Sequence, residues 1–262
     1  MTDLHHVRRG SGEPLLLVQG MSGTHLSWGE AFLDALAPRF DVVAYDHRGI
    51  GFSPAAEEPF TIVDLADDAV GLLDALGWDS AHVLGISMGG MVAQELALRH
   101  PDRVRTLALG GTYAGGADQR LTSPEVGQRL FAAMKSGDRE LALRTGWEIN
   151  VSRAFSADEA AYAAFREAAL GAPARVPMIA RQAQAIAGHD ASRRLGAIAV
   201  PTLVIHGDED EMLPVENGRW IAEQIRGARY EELEGVGHMF WIEQPERVAG
   251  LLAEHMLSTA RS

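Results

Sequence analysis

Five stretches of the chain are apolar at almost every position: PLLLVQG (14–20), DVVAYDH (41–47), AHVLGIS (81–87), VRTLALGG (104–111) and PTLVIHG (201–207). A strand with one wet face alternates apolar and polar residues. An unbroken run needs cover on both faces, as in a parallel sheet sandwiched between helices. Helix-patterned stretches lie between these runs, at about 28–38, 61–76, 88–99, 215–226 and 245–257. Strand–helix alternation with crossover-length spacing predicts an α/β fold, a doubly wound and mostly parallel sheet. RYEELEG (229–235) is shorter and more polar, as suits a strand near the sheet edge, and LHHVRRG at the start adds one antiparallel edge strand.

One interval breaks the alternation. From 117 to 192 no good strand occurs, and four amphipathic pieces follow one another at about 123–135, 138–150, 157–170 and 174–188. SGD (136–138), SADE (156–159) and GAP (171–173) mark their boundaries, and Ser156 with Glu159 reads as a capping box. The division is therefore a core of 1–116 and 193–262, with a helical insertion at 117–192 before the penultimate strand.

Composition narrows the function classes. A chain of 262 residues buries one large core. It contains no apolar run of about 18 residues that would span a membrane, and MTDLHHVRRGSGE lacks the apolar region of a signal peptide. Cysteine is absent, which removes disulfides and thiolate chemistry and fits a cytoplasmic protein. The formal net charge of -13, with Lys135 the one lysine, offers no basic patch to nucleic acid or an anionic membrane. The expected partner is a small molecule; oligomeric state is left open.

Within LGISMGGMVAQELALRHP (84–101), Ser87 stands between a strand-like run and a helix-like one. A serine on a sharp strand-to-helix turn needs neighbours without side chains, and Gly85, Gly89 and Gly90 supply them. Serine is a weak nucleophile until a base lies within hydrogen-bond reach. Of the ten histidines, His238 in EGVGHMFWIEQPERV follows the last strand, at the carboxyl edge where Ser87 also emerges. The acid is sought in VIHGDEDEMLP; Asp210, three residues past Gly207 and ahead of Pro214, is preferred to Asp208. The plainer alternative is an acidic loop capping the next helix. Oxyanion donors are expected from the backbone N–H of Met88 and of Met21, in the loop QGMSGTHLSW.

With these residues in place the chain resembles the α/β-hydrolase superfamily, in its Ser…Asp…His order. YDHRGIGFS (45–53) matches the family's D-x-R-G-x-G-x-S turn, which braces the loop after the strand, and RHPDRV (99–104) matches the link from the nucleophile helix to the next strand. Two departures stand out: Gln19-Gly20 replaces the usual His-Gly, and the N-terminus is short for the usual first two strands. The resemblance implies that 117–192 is a helical cap, or lid, over the site. It implies a serine hydrolase of a carboxylic ester or lactone, with neither metal nor organic cofactor. HExxH and Cys/His ligand patterns are absent. The LSW loop and lid size are similar to those of 3-oxoadipate enol-lactonases. C–C bond hydrolases, perhydrolases, lyase or cyclase chemistry on the same triad, and a non-catalytic receptor are the alternatives. Phe131, Trp147, Met178, Met239 and Trp241 are candidates for the substrate pocket, each with plain packing as its rival role.

Overall fold

A computed structural model describes residues 3–172 and 174–258. Pro173 of the GAP boundary and the first two and last four residues of the expected core lie outside them. Seven strands form one sheet: β1 (His6–Arg9), β2 (Glu13–Val18), β3 (Phe40–Tyr45), β4 (Ala81–Ile86), β5 (Val104–Gly110), β6 (Thr202–Gly207) and β7 (Arg229–Leu233). Their spatial order is β1-β3-β2-β4-β5-β6-β7. Only β1 runs antiparallel, pairing His6 with Tyr45 and Arg9 with Val42; β7 is the opposite edge. One strand, rather than two, precedes β2.

Odd and even positions of the same strands feed different cores. Leu15, Leu17, Val42, Ala44, Leu84 and Ile86 pack toward α1 (Glu30–Leu36) and α10 (Pro245–Ser258). Leu16, Val18, Val43, Tyr45, Val83 and Leu107 pack toward α2 (Ile62–Leu76) and α3 (Met88–Arg99). Each leucine, valine or isoleucine among them contributes about 1.5–3 kcal/mol on burial, which is why the strands read as unbroken apolar runs. Thr61 and Asp64 form a capping box at the start of α2, and left-handed Gly77 ends it.

Between β5 and β6 run α4 (Pro124–Lys135), α5 (Arg139–Asn150), α6 (Glu159–Gly171) and α7 (Val176–Ala187); α8 (Glu216–Gln224) follows β6. The expected Ser156–Glu159 box is not the cap of α6. Asp158 takes that place, accepting from the N–H groups of Ala160 and Ala161, while Ser156 Oγ donates to Arg153 O. A carboxylate one residue before the helix is the shorter reach. The four-residue α9 (Phe240–Glu243) has too few residues to show a period in sequence. Among the described residues no helix is long and apolar enough to cross a membrane.

His82 is an acid-sensitive point in this core. Its Nδ1 lies 2.8 Å from Thr106 Oγ1, and burial, assisted by Arg105, pushes its imidazole down to about 4. The unfolded chain binds this proton at about 6.5, so the folded state loses stability as pH falls from about 6.5 towards about 4. His82→Gln is expected to flatten that part of the stability curve. Urea unfolding at pH 7, 6, 5 and 4.5 checks it, and identical pH slopes in parent and variant would refute it.

Candidate active site

Parallel pairing lines up the carboxyl ends of the central strands. Val18 pairs with Gly85, Ile86 with Gly110, Gly110 with Ile205, and Gly207 with Leu233. Ser87, Gly111, Asp210 and His238 all lie just beyond these ends.

Ser87 has φ 55 and ψ -121, and among the described non-glycine residues only Ser22 shares its positive φ. That backbone costs roughly 1–3 kcal/mol and persists only where its surroundings fix it. Here Ser87 N–H donates to Gly110 O at 3.0 Å, and Thr112 Oγ1 donates to Ser87 O at 2.7 Å. The glycines act as expected. A Cβ on Gly85 would lie 2.7 Å from Ala93 Cβ, one on Gly89 2.6 Å from Gln19 O, and one on Gly90 2.6 Å from Thr112 Oγ1.

Asp210 and His238 meet. His238 Nδ1 is 2.6 Å from Asp210 Oδ2, and both side chains are nearly inaccessible. An ionised carboxylate only accepts, so Nδ1 carries a hydrogen, and Nε2 is the ring nitrogen left to face the serine side. Asp210 Oδ1 accepts from Leu213 N–H at 2.7 Å. His206, at the end of β6, brings Nε2 to 3.2 Å from Asp210 Oδ2 and 2.9 Å from Leu213 O. Burial alone would raise the Asp210 carboxyl. The charge of His238 and hydrogen bonds from His206 and His238 outweigh it and hold the group below its ordinary value. Asp208 instead accepts from Gly235 N–H on the exposed side. A Cβ on Gly111 would lie 3.0 Å from His238 Nδ1. The pair therefore packs on the residue that follows Gly110, the partner of Ser87.

The loop expected to supply an oxyanion donor holds a turn from Gly20 to Gly23. Gly23 N–H donates to Gly20 O at 3.2 Å, and Ser22 has φ 61. A closing bond with positive φ at the third residue defines a type II turn. A Cβ on Gly20 would lie 3.0 Å from Ser87 Cβ, so the turn runs directly past the serine. Met21, its second residue, has a side chain that is largely exposed, and Met88 opens α3 with a buried one. Gln19, at the usual histidine position, accepts Gly20 N–H on Oε1 at 2.8 Å, and His47 Nε2 donates to Gln19 O at 2.9 Å. Left-handed backbone costs a serine roughly 1–2 kcal/mol, comparable to the ~1 kcal/mol that a hydrogen bond contributes. Such a bond is present: Ser22 N–H donates to Oε1 of Gln182, on α7, at 2.8 Å.

The 45–53 turn braces this loop. Asp46 Oδ1 accepts from His25 N–H at 2.7 Å and His25 Nδ1 at 2.9 Å, and Asp46 Oδ2 accepts from Phe52 N–H at 3.0 Å. Arg48 forks onto Asp68. His5, His25 and Asp46 place potential metal-ligand atoms within 4.8 Å of one another. The three N–H donors on Asp46 make the group a hydrogen-bond knot.

The candidate pocket residues divide. Trp147 is fully buried among Phe155, Tyr162 and Phe165, with Nε1 donating to Ser156 O. Trp241 packs tilted against Trp28 and edge-on to Phe240, and its Nε1 donates to Ser27 O. Phe131 is exposed beneath Lys135. Met178 packs against Gly49, where a Cβ would lie 3.0 Å from its Cγ. Met239 directly follows His238 and is buried. A cavity of about 510 Å³ opens elsewhere, between the start of α2 and the end of α7, lined in part by Phe60, Ile62, Glu95 and His189.

Sequence reasoning passed over His206 as a support of the acid and missed Glu243 and Gln182 altogether. The only signal for His206 was its place at a strand end. Glu243 Oε1 accepts from Gly237 N–H and Ser152 N–H, both at 2.8 Å, and its Oε2 from Ser152 Oγ at 2.6 Å. Met239 N–H donates to Asn150 O at 2.7 Å. The loop that carries His238 is thus tied to the end of α5. Burial raises the Glu243 carboxyl, against the lowering pull of these hydrogen bonds.

Comparison with known proteins identifies the family. The family described as the alpha/beta hydrolase fold matches residues 13–245. RutD of Azorhizobium caulinodans, a proposed carbamate hydrolase, is 33% identical over 246 residues, covering 93% of this chain and 91% of its own. The enol-lactonase from Burkholderia xenovorans LB400 superposes with a TM-score of 0.84 at 30% identity, over 98% of this chain and 97% of its own. A thermophilic esterase from Thermogutta terrifontis gives 0.81 at 28%, over 98% and 93%. The chain belongs to the α/β-hydrolase family. It is a hydrolase.

Removing the Glu243 carboxylate strands three donors at once. An unsatisfied buried donor costs roughly 1–3 kcal/mol, so Glu243→Ala is expected to lose about 2 kcal/mol or more of unfolding free energy. Urea denaturation measures it, and a loss under about 0.5 kcal/mol would show that the clamp is solvent-shared and weak.

Proposed function

We propose that the protein is a serine hydrolase that cleaves a carboxylic ester or lactone through an acyl-enzyme on Ser87. The observation that carries this reading is the buried His238–Asp210 pair, 2.6 Å apart, packed on Gly111 beside the strained Ser87 turn. Ser87 Oγ attacks the substrate carbonyl while His238 Nε2 takes its proton. Asp210 holds Nδ1–H and stabilises the imidazolium without itself taking the proton. The N–H groups of Met21 and Met88 receive the oxyanion. His238 then protonates the leaving oxygen, and water repeats the sequence to release the acid.

Residues 117–192 serve as the cap, and 1–116 with 193–262 as the core. Supporting contacts fall on the catalytic edge: Gln182 on Ser22, Asn150 on Met239, and Thr122 Oγ1 on Met212 O. Met178 and Met239 are the pocket candidates nearest the loops of this edge, whereas Trp147 and Trp241 have their packing and indole partners elsewhere. The named relatives hydrolyse, by their names, an enol lactone or an ester, or are proposed to act on a carbamate. A panel of p-nitrophenyl esters, lactones, carbamates and vinylogous diketones therefore separates this reading from its neighbours, and turnover of the diketones alone would replace it with C–C bond hydrolysis.

Ser87→Ala is expected to lower ester turnover by at least ~10³-fold with the fold intact. An organophosphonate is expected to label Ser87, and retained turnover in the variant would remove Ser87 as nucleophile. Asp210→Asn is expected to cost about 10²–10⁴-fold in kcat, and Asp208→Asn little. Equal losses would move the acid.

A further inference from the structure

The peptide between Ser87 and Met88 is one rigid plane with two groups on it. Its N–H is that of Met88, the donor assigned to the oxyanion. Its C=O is Ser87 O, which points the opposite way. Whatever fixes the direction of Ser87 O therefore fixes the direction of the Met88 N–H. The torsion that sets this plane against Ser87 is ψ, at -121 with φ 55, outside the ordinary basins for a side-chain-bearing residue. The plane needs support from its surroundings.

Three donors reach Ser87 O. Gly90 N–H, at 2.9 Å, and Met91 N–H, at 3.4 Å, belong to the first turn of α3. They tie the plane to its own helix and move with it. The third, Thr112 Oγ1 at 2.7 Å, comes from the chain that leaves β5. Thr112 is 1% exposed, so water cannot take its place, and a hydrogen bond in such dry surroundings is strengthened. The same segment aligns the rest of the site. Gly110 O accepts Ser87 N–H at 3.0 Å, and Gly111 packs against His238 and Asp210. Ser87 is thus held at its N–H and at its C=O by residues 110–112, the stretch that also carries the acid–base pair. Gln94 Nε2, from α3, donates to Tyr113 O at 3.2 Å and fixes the segment itself. Gly90 makes the arrangement possible: a Cβ there would lie 2.6 Å from Thr112 Oγ1. The glycine after Gly89 is the opening through which the threonine reaches the carbonyl.

The geometry points to Thr112 as a positioning residue for the oxyanion: its hydroxyl, bonded to the carbonyl of the Ser87–Met88 peptide, aims and polarises the N–H of that same peptide. A hydrogen bond at the C=O end draws charge toward oxygen and makes the N–H at the other end a stronger donor. Thr112 touches no reacting atom. This inference rests on the assignment of Ser87 as nucleophile and Met88 as donor.

The test uses the full chain. Phosphonate labelling of Ser87 in the parent protein is done first; its failure would sink the hydrolase reading rather than the role of Thr112. Thr112→Val keeps the shape of the side chain and removes the hydroxyl, while the Gly90 and Met91 amides still satisfy Ser87 O. It is expected to lower kcat on p-nitrophenyl acetate about five- to ten-fold, with KM changed less than about two-fold. Affinity for a trifluoromethyl ketone, which forms a tetrahedral oxyanion on serine, is expected to fall by a similar factor. Thr112→Ser keeps the hydroxyl and loses the methyl, and is expected to stay within about two-fold of the parent in kcat. A packing role reverses that order, because the serine variant then loses the group that packs and the valine variant keeps its bulk. Unchanged kcat in Thr112→Val, or a loss as large in Thr112→Ser, would overturn the proposal. Should the valine variant fail to fold, Thr112→Ala is set against Thr112→Ser, since the two differ by the hydroxyl alone. A deficit of about five-fold or more in the alanine variant supports the role, and equal kcat in the two refutes it.

Discussion

The site depends on one backbone hydrogen bond, from Ser87 N–H to Gly110 O. It prolongs the β4–β5 pairing one residue past the Ile86–Gly110 register, and it does so while Ser87 stands at φ 55. A left-handed residue at the end of a strand normally relaxes. Here relaxation would break that bond and lift Ser87 O from Thr112. It would also open the contact in which α3 rides on the β2 carbonyls through Gly89. The strain is held by the sheet, and the sheet can hold it because central parallel strands are covered on both faces and have no freedom to slip.

The same edge organises Asp210 and His238. The His238 loop crosses so close to the end of β6 that a Cβ on Gly207 would lie 2.6 Å from Gly237 O. Gly207 is thus as necessary to the His238–Asp210 pair as Gly89 is to Ser87. Asp210 is then enclosed by two imidazoles and the Leu213 amide. A carboxylate so supplied with donors stays ionised despite burial, and an ionised carboxylate fixes the His238 tautomer. Register, glycine, charge state and tautomer form one chain of causes.

What was legible in the sequence follows from the range over which each feature is determined. The strands, the helices beside them and the edge strand at His6–Arg9 were readable because doubly buried strands and amphipathic helices carry their environment in a few consecutive residues. The positions of Ser87, Asp210 and His238 just past strand ends were readable from short motifs, while their roles belong to the proposed function. The cap of α6 was misplaced by two residues, because Ser156 and Asp158 are both competent caps and only geometry chooses. Gln182 and Glu243 were illegible for a different reason. Their partners lie 160 and 91 residues away, and a glutamine or glutamate on an amphipathic helix looks like surface.

Those two residues change how the insertion is understood. A lid that merely covered a site would touch the core through apolar surface and could slide. This one makes polar, directional contacts at two loops of the sheet's carboxyl edge. Through Ser152 and Asn150 it holds the loop of His238, and through Gln182 it holds the Gly20–Gly23 turn. Hydrogen bonds of this kind lose most of their strength within an ångström of displacement. Any movement of α5 or α7 therefore reaches the His238 loop or the Gly20–Gly23 turn. On the proposed reading, with these helices as the cap, substrate fit and the geometry of the reacting groups are set by the same contacts, so a change of cap sequence that widened the pocket would also have to keep Gln182 and Ser152 in place.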